Sequence, residues 1–172
     1  MAQTVTGVQY PVAIGRIDGH TNYASKDFVV ANGVTINAGD FVYFSSGTVT
    51  SAAAYQARIV GIAEGTATGN STGTVLVKVC IDENMRYMIK SATALAITNG
   101  TNADIGQYFD VTSGTGTGAQ TVTLVGTTTG QFVLLDVPGT ATLPNTGLNI
   151  PSGTTVGVFK LVNSFLNPYV AG

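Results

Sequence analysis

The chain has 172 residues, 44% of them hydrophobic and only 9% charged, with a formal net charge of −2. That length supports one domain or two lobes of about 80 residues, with enough apolar surface to fold without disulfides or metal. So small a net charge, with Arg16, Lys26, Arg58, Lys78, Arg86, Lys90 and Lys160 scattered along the chain, leaves no electrostatic footprint for nucleic acid or an anionic membrane.

The first residues lack a basic stretch followed by an apolar one, so no signal peptide is expected. No apolar run approaches the roughly 20 residues of a membrane-spanning helix. Residues 1–30 read as an extended N-terminal arm. Thr4-Val5-Thr6 suits a strand, Tyr10-Pro11 an extended dipeptide, and Asp18-Gly19-His20-Thr21-Asn22 a turn. Phe28-Val29-Val30 is apolar enough to be the first core strand.

The scaffold of the chain is residues 36–65. Ala38-Gly39-Asp40 forms a tight turn, because Gly reaches φ > 0 freely and Asp bonds nearby backbone. Phe41-Val42-Tyr43-Phe44 follows as a short buried strand, and Ser45-Ser46-Gly47 folds it back onto Thr48-Val49-Thr50. Ala52-Ala53-Ala54-Tyr55 then leads to the strand Arg58-Ile59-Val60-Gly61-Ile62-Ala63.

This order of parts (an AGD turn, an aromatic strand, a hairpin, an alanine patch after TVTSA, then IVGIAEG) resembles the capsid cement, or head decoration, proteins of tailed phages. The likeness is clearest over residues 36–81. It implies a β-rich structural protein of the virion that binds the outside of an HK97-type shell of major capsid protein. It also implies a homotrimer, made in the host cytoplasm. The arm and tail would supply the contacts: Gln3, Val5, Tyr10, His20 and Tyr23 in the arm, Phe165 and Tyr169 in the tail.

After the polar loop of residues 66–74, Val75, Val77, Val79 and Ile81 share one face of a strand, with Leu76, Lys78 and Cys80 on the other. Cys80, the one cysteine, reads as a half-buried small hydrophobe. Asp82-Glu83-Asn84 is expected to turn this strand into a hairpin partner, Met85-Arg86-Tyr87-Met88-Ile89. Asn99-Gly100 marks a further turn.

The second half echoes the first, which reads either as an internal duplication giving two related β-lobes or as the self-similarity of any chain rich in Thr, Gly and Val. Ala103-Asp104-Ile105-Gly106-Gln107-Tyr108-Phe109 aligns with the AGD turn and its strand, and Thr121-Val122-Thr123-Leu124-Val125 echoes the hairpin. Thr155-Val156-Gly157-Val158-Phe159 resembles Ile59-Val60-Gly61-Ile62-Ala63. Gln131 to Val137 is a buried strand ended by Pro138, and the Pro-containing loop 139–153 is long enough to reach a partner. The tail, residues 163–172, carries Phe165, Leu166, Tyr169 and Val170, which favour docking over exposure to water. The expected fold is all-β: a small β-barrel or β-sandwich with the arm (1–30), a first lobe (31–98) and a second lobe with the tail (99–172), or one compact domain.

Reactive chemistry is sparse. His20 is the one histidine and has no nucleophile elbow or oxyanion signature around it. Asp82-Glu83 read as solvated turn residues, and Asn99 to Asp104 lacks the spaced carboxylates of a calcium loop. One Cys and one His cannot make a zinc site, and no phosphate-binding glycine motif is present. No catalytic, metal or cofactor site is expected, nor any nucleic-acid or membrane partner; the chain is not expected to be an enzyme. Two other classes remain open: a carbohydrate-binding or adhesin-like β-module, against which the lack of Trp counts, and a fibre or tail-tube subunit.

Overall fold

In the computed structural model the described residues are 11–52, 59–93, 95, 97–98, 101–102, 104–113, 120–126, 130–137 and 156–162. They are all-β, as the strand-and-turn pattern requires. The hairpin at residues 45–48 shows the local cause. Ser46 (φ 50°) and Gly47 (φ 83°) both take positive φ, the mirror-image turn whose twist matches two antiparallel strands.

Strands β1 (Val12–Arg16) and β2 (Ser25–Val29) occupy half of the described part of the arm. Then come β3 (Thr35–Ile36), β4 (Phe41–Ser45), β5 (Thr48–Ser51), β6 (Ile59–Ala63), β7 (Ala67–Thr68) and β8 (Leu76–Cys80). The remainder are β9 (Met85–Ser91), β10 (Ile97–Thr98), β11 (Thr101–Asn102), β12 (Tyr108–Ser113), β13 (Thr121–Gly126), β14 (Phe132–Asp136) and β15 (Val156–Leu161). Asn99 and Gly100 lie outside the described residues, between the paired β10 and β11.

Two rings of five strands organise the chain. In the first, the order is β2-β8-β6-β4-β5, and a parallel bridge from Val49 to Val30 completes the ring, with Ala31 N donating to Val49 O at 2.9 Å. In the second, the order is β9-β15-β14-β12-β13, and parallel pairing of Val122 with Ser91 completes it, with Ala92 N donating to Val122 O at 2.7 Å. Every other neighbour is antiparallel in both rings.

The rings match residue by residue. Phe44↔Val49, Ile62↔Cys80 and Phe28↔Val77 in the first correspond to Val111↔Val122, Val133↔Lys160 and Ile89↔Gly157 in the second. The turn before β4 recurs before β12 with the same bonds. Asp40 N donates to Asn37 O and Gln107 N to Asp104 O, both at 3.0 Å. Gly39 N reaches Ala63 O at 2.8 Å and Gly106 N reaches Leu134 O at 2.9 Å. Gly39 (φ 89°) and Gly106 (φ 83°) adopt a backbone that other residues take only under strain.

The alignment of residues 103–109 with the AGD turn, and of residues 121–125 with the hairpin, therefore agrees with the strand pairing. The third echo does not. Residues 156–159 occupy the place of β8, and the counterpart of β6 is β14.

A second difference concerns Asp82-Glu83-Asn84. It does not close a hairpin, because β8 pairs with β2 and β6 whereas β9 pairs with β1, β13 and β15. The turn is the crossover between barrels, so the chain changes ring there and not near residue 98. Within the span read as an arm, β2 is a stave of the first barrel and β1 an added edge strand of the second sheet.

Val30, Val42, Val49, Val60, Ala63, Val77 and Val79 pack together with Phe28 and Phe44 to fill the first barrel. The opposite side of that barrel (Phe41, Ala52, Ile59, Ile62 and Cys80) joins Tyr87, Ile89, Phe109, Val122, Phe132, Leu134 and Phe159 of the second in one core. Phe41 meets Phe132 and Tyr87 with ring centroids 4.8 and 5.1 Å apart. Cys80 is consequently fully buried and not half-buried.

Buried Gln120 ties the barrels together. Its Oε1 accepts from Phe41 N at 2.5 Å, and its Nε2 donates to Phe41 O at 3.1 Å and Ala52 O at 2.7 Å. Replacing Gln120 with Ala strands the Phe41 N–H in an apolar seam and takes the amide donor from Ala52 O, while Phe41 O keeps the Ala52 N–H at 2.7 Å. The expected loss is about 2–4 kcal/mol, read from urea unfolding. Tyr87→Phe should go the other way. The Tyr87 hydroxyl is buried with no partner, so its removal is expected to raise stability by about 1 kcal/mol in the same assay.

Candidate functional site

A groove of about 730 Å³ lies beside β1, between it and the first barrel. One wall is Pro11 to Arg16 with the β1–β2 loop; the other is Ala38-Gly39, Ile62 to Glu64, Cys80 and Met85-Arg86. β1 is set there by its antiparallel register with β9, Val12 opposite Met88 and Arg16 opposite Met85. Val12 and Ile14 pack on Met88, Val156 and Val158, on a face of β9 and β15 separate from the main core.

Arg16 fixes the loop. Its Nε and one terminal nitrogen hold both oxygens of Asp18 at 2.9 and 2.5 Å, and the other terminal nitrogen reaches Asp82 at 2.5 Å and Asn22 O at 3.2 Å. Asp82, buried in the crossover turn, also accepts from Asn84 N at 2.9 Å. It is therefore not the solvated turn residue that its sequence context suggested. The sequence shows an Asp in a turn but not that an arginine 66 residues earlier is brought to it.

The Arg16 guanidinium holds the Asp18 carboxyl well below the usual carboxylate range, and Asp18 in turn raises Arg16. Asp18 also accepts from His20 N at 3.1 Å, so Asp18 and His20 are joined through the backbone and not through the imidazole. His20 and Tyr23 are exposed and both line the groove. Of the seven residues expected to make contacts, these two are brought together. Gln3, Val5, Tyr10, Phe165 and Tyr169 lie outside the described residues.

The groove also holds residues the sequence did not single out. Glu64 accepts from the Ser25 hydroxyl, and the Arg86 Nε is buried with no partner. Elsewhere, Asp40 is buried, accepting from Asn37 N at 2.9 Å and the Ser51 hydroxyl at 3.1 Å; burial pushes its carboxyl up. Burial likewise pushes the Cys80 thiol up, away from the thiolate a nucleophile needs. Among the described residues no group of three or more His, Cys, Asp or Glu side chains could hold a metal, and no helix is long and apolar enough to cross a membrane.

Compared with known proteins, the chain matches no family model, and no curated protein matches it significantly.

The Arg16–Asp18 fork predicts a pH response. A carboxyl lowered by folding adds stability above its unfolded pKa (about 3.9), and that stability drains as pH falls through and below that value. Arg16→Met should therefore show a smaller drop in Tm between about pH 5 and pH 2 than the parent chain, measured by thermal melts across that range.

Proposed function

We propose that this chain is a structural protein of a tailed-phage head: a cement protein that binds the outer surface of the major capsid shell and bridges neighbouring subunits. The observation that carries this reading is the run of residues 36–65, with its AGD turn, aromatic strand and IVGIAEG segment. Its resemblance to the cement proteins extends to residue 81, the span that folds as most of the first barrel. A homotrimer on an HK97-type shell, exposed on the virion, follows from the same resemblance.

The physical mechanism is adhesion. A 9% charged chain presents little to repel a protein lattice, and exposed apolar side chains such as Ile17 and Tyr23 stand on the β1 side of the molecule. On a repeating shell, many weak identical contacts add up because each copy engages several neighbours at high effective concentration. The groove beside β1, with His20 and Tyr23 on its wall, suits an extended segment of a capsid subunit.

Co-sedimentation with purified heads that lack the protein tests this. The chain should pellet with heads at a fixed stoichiometry, and the double variant His20→Ala/Tyr23→Ala should bind about tenfold more weakly while folding normally. A chain that never travels with heads refutes the reading. Binding on a glycan array would then favour the adhesin-like module, and rods formed without heads the fibre or tail-tube subunit.

A further inference from the structure

The groove beside β1 holds two arginines in opposite states. Arg16 spends its guanidinium on Asp18, Asp82 and Asn22 O. Arg86 has no such partner: its Nε is buried and makes no hydrogen bond. All nine Asp and Glu of the chain lie among the described residues. The two ion pairs formed among those residues are both made by Arg16, so no acidic side chain of this chain neutralises Arg86. Glu64 lines the same groove but accepts from the Ser25 hydroxyl instead.

The strands on either side of Arg86 sharpen the imbalance. Pairing of β9 with β15 sets Lys160 directly opposite Arg86, so two cations project from one face of the sheet, and like charges at that spacing repel. Lys160 makes no ion pair either. On the other side, Gly15 of β1 stands opposite Arg86. A Cβ added there would meet nothing within 4 Å, so the position across from Arg86 is open. A buried N–H without an acceptor costs stability, and a repelling neighbour adds to that cost. An anion at this place removes both.

The shape and lining of the groove narrow what that anion belongs to. β1 is the last strand of its sheet and pairs, among the described residues, only with β9, so its outer edge suits an added extended segment. Ile62, Ala63, Cys80 and Met85 put apolar surface around the one unpaired guanidinium. Such a lining fits a peptide with one acidic side chain among apolar ones. A phosphate-rich polyanion would need several free donors, and Arg16 has given its own to Asp18 and Asp82. We propose that Arg86, supported by Lys160, is the anchor of the groove: it binds the carboxylate of an Asp or Glu in an extended segment of a partner protein laid along β1. This rests on the reading that such a segment occupies the groove, and it names the chemical group the segment must carry there.

Two measurements test it. In co-sedimentation with heads that lack the protein, Arg86→Met should weaken binding about tenfold or more, because it removes one partner of a desolvated charge pair. Arg86→Lys should bind nearly as weakly, since lysine offers no planar fork. Lys90→Met, exposed on the same strand and outside the groove, should bind as the parent does. The Tm of free Arg86→Met should equal or exceed that of the parent, which a merely structural arginine would not show. The second measurement follows the NMR signal of the Arg86 Nε–H group during titration with the peptide Ac-Val-Glu-Val-NH2, with Ac-Val-Gln-Val-NH2 and inorganic phosphate for comparison. The signal should move saturably with the Glu peptide, and less with the other two. Parent-like head binding by Arg86→Met overturns the inference and leaves the cement reading standing. A signal that the Glu peptide leaves in place, or that the Gln peptide or phosphate moves as far, also overturns it. A parent chain that never pellets with heads refutes the cement reading alone, and the titration then decides the anchor.

Discussion

Phe41 is the residue on which both barrels converge. Its ring leaves the first barrel and sits among Phe132 and Tyr87 of the second, while its backbone N–H donates to Gln120 and its C=O accepts from both Gln120 and Ala52 N. Burying a large apolar side chain contributes about 1.5–3 kcal/mol, and the phenylalanine, two isoleucines, alanine and cysteine of this seam are all buried. An amide placed there would cost about as much as one such side chain gains if it were unpaired. Gln120 uses its oxygen once and its nitrogen twice, so the seam holds a polar group without that penalty. The relation between the barrels follows from satisfying the apolar face and the backbone groups at one place.

That seam explains strand compositions which alternation alone would not. β6 reads Ile-Val-Gly-Ile-Ala and is buried throughout, because Val60 and Ala63 fill the first barrel while Ile59 and Ile62 face the second. Gly61 is required because a Cβ there would run into the Cys80 carbonyl of the neighbouring strand. Cys80, at the end of an otherwise alternating strand, is buried because the second barrel arrives on the side where Leu76 and Lys78 meet water.

The duplicated rings also separate structural from interactive surface. Both have the same connections and the same glycine turn, so each closes its own hydrogen-bond ladder and leaves little free strand edge. In the proposed role, contacts with a partner would come from side chains on barrel walls and from the segment that carries β1 into the groove. With charge so sparse, the strongest polar feature of that groove is the Arg16 fork, which spends its donors on Asp18, Asp82 and a backbone carbonyl of the same chain. The Arg16 fork therefore holds the groove wall in shape, and in the proposed role this would lower the ordering cost of binding.

The strands, their turns and the repetition were legible in the sequence because each depends on neighbours in the chain. Ser46-Gly47 and the glycines at 39 and 106 dictate backbone angles locally, and alternating apolar residues mark a half-buried strand whatever it packs on. His20 and Tyr23 are expected as contacts through the family resemblance, and the structure places both on the groove wall. What could not be read is what lies across space. Asp82-Glu83-Asn84 has the composition of a hairpin turn, and only the competing claims of β2, β6, β1 and β15 make it a crossover. The third sequence echo failed for the same reason: Gly-containing apolar strands look alike, and strand pairing alone assigns residues 156–159 to the position of β8. Local sequence determined the pieces, because turn and strand energetics are short-range. Tertiary structure decided which faces are covered and which stay open, because that depends on contacts between residues far apart in the chain.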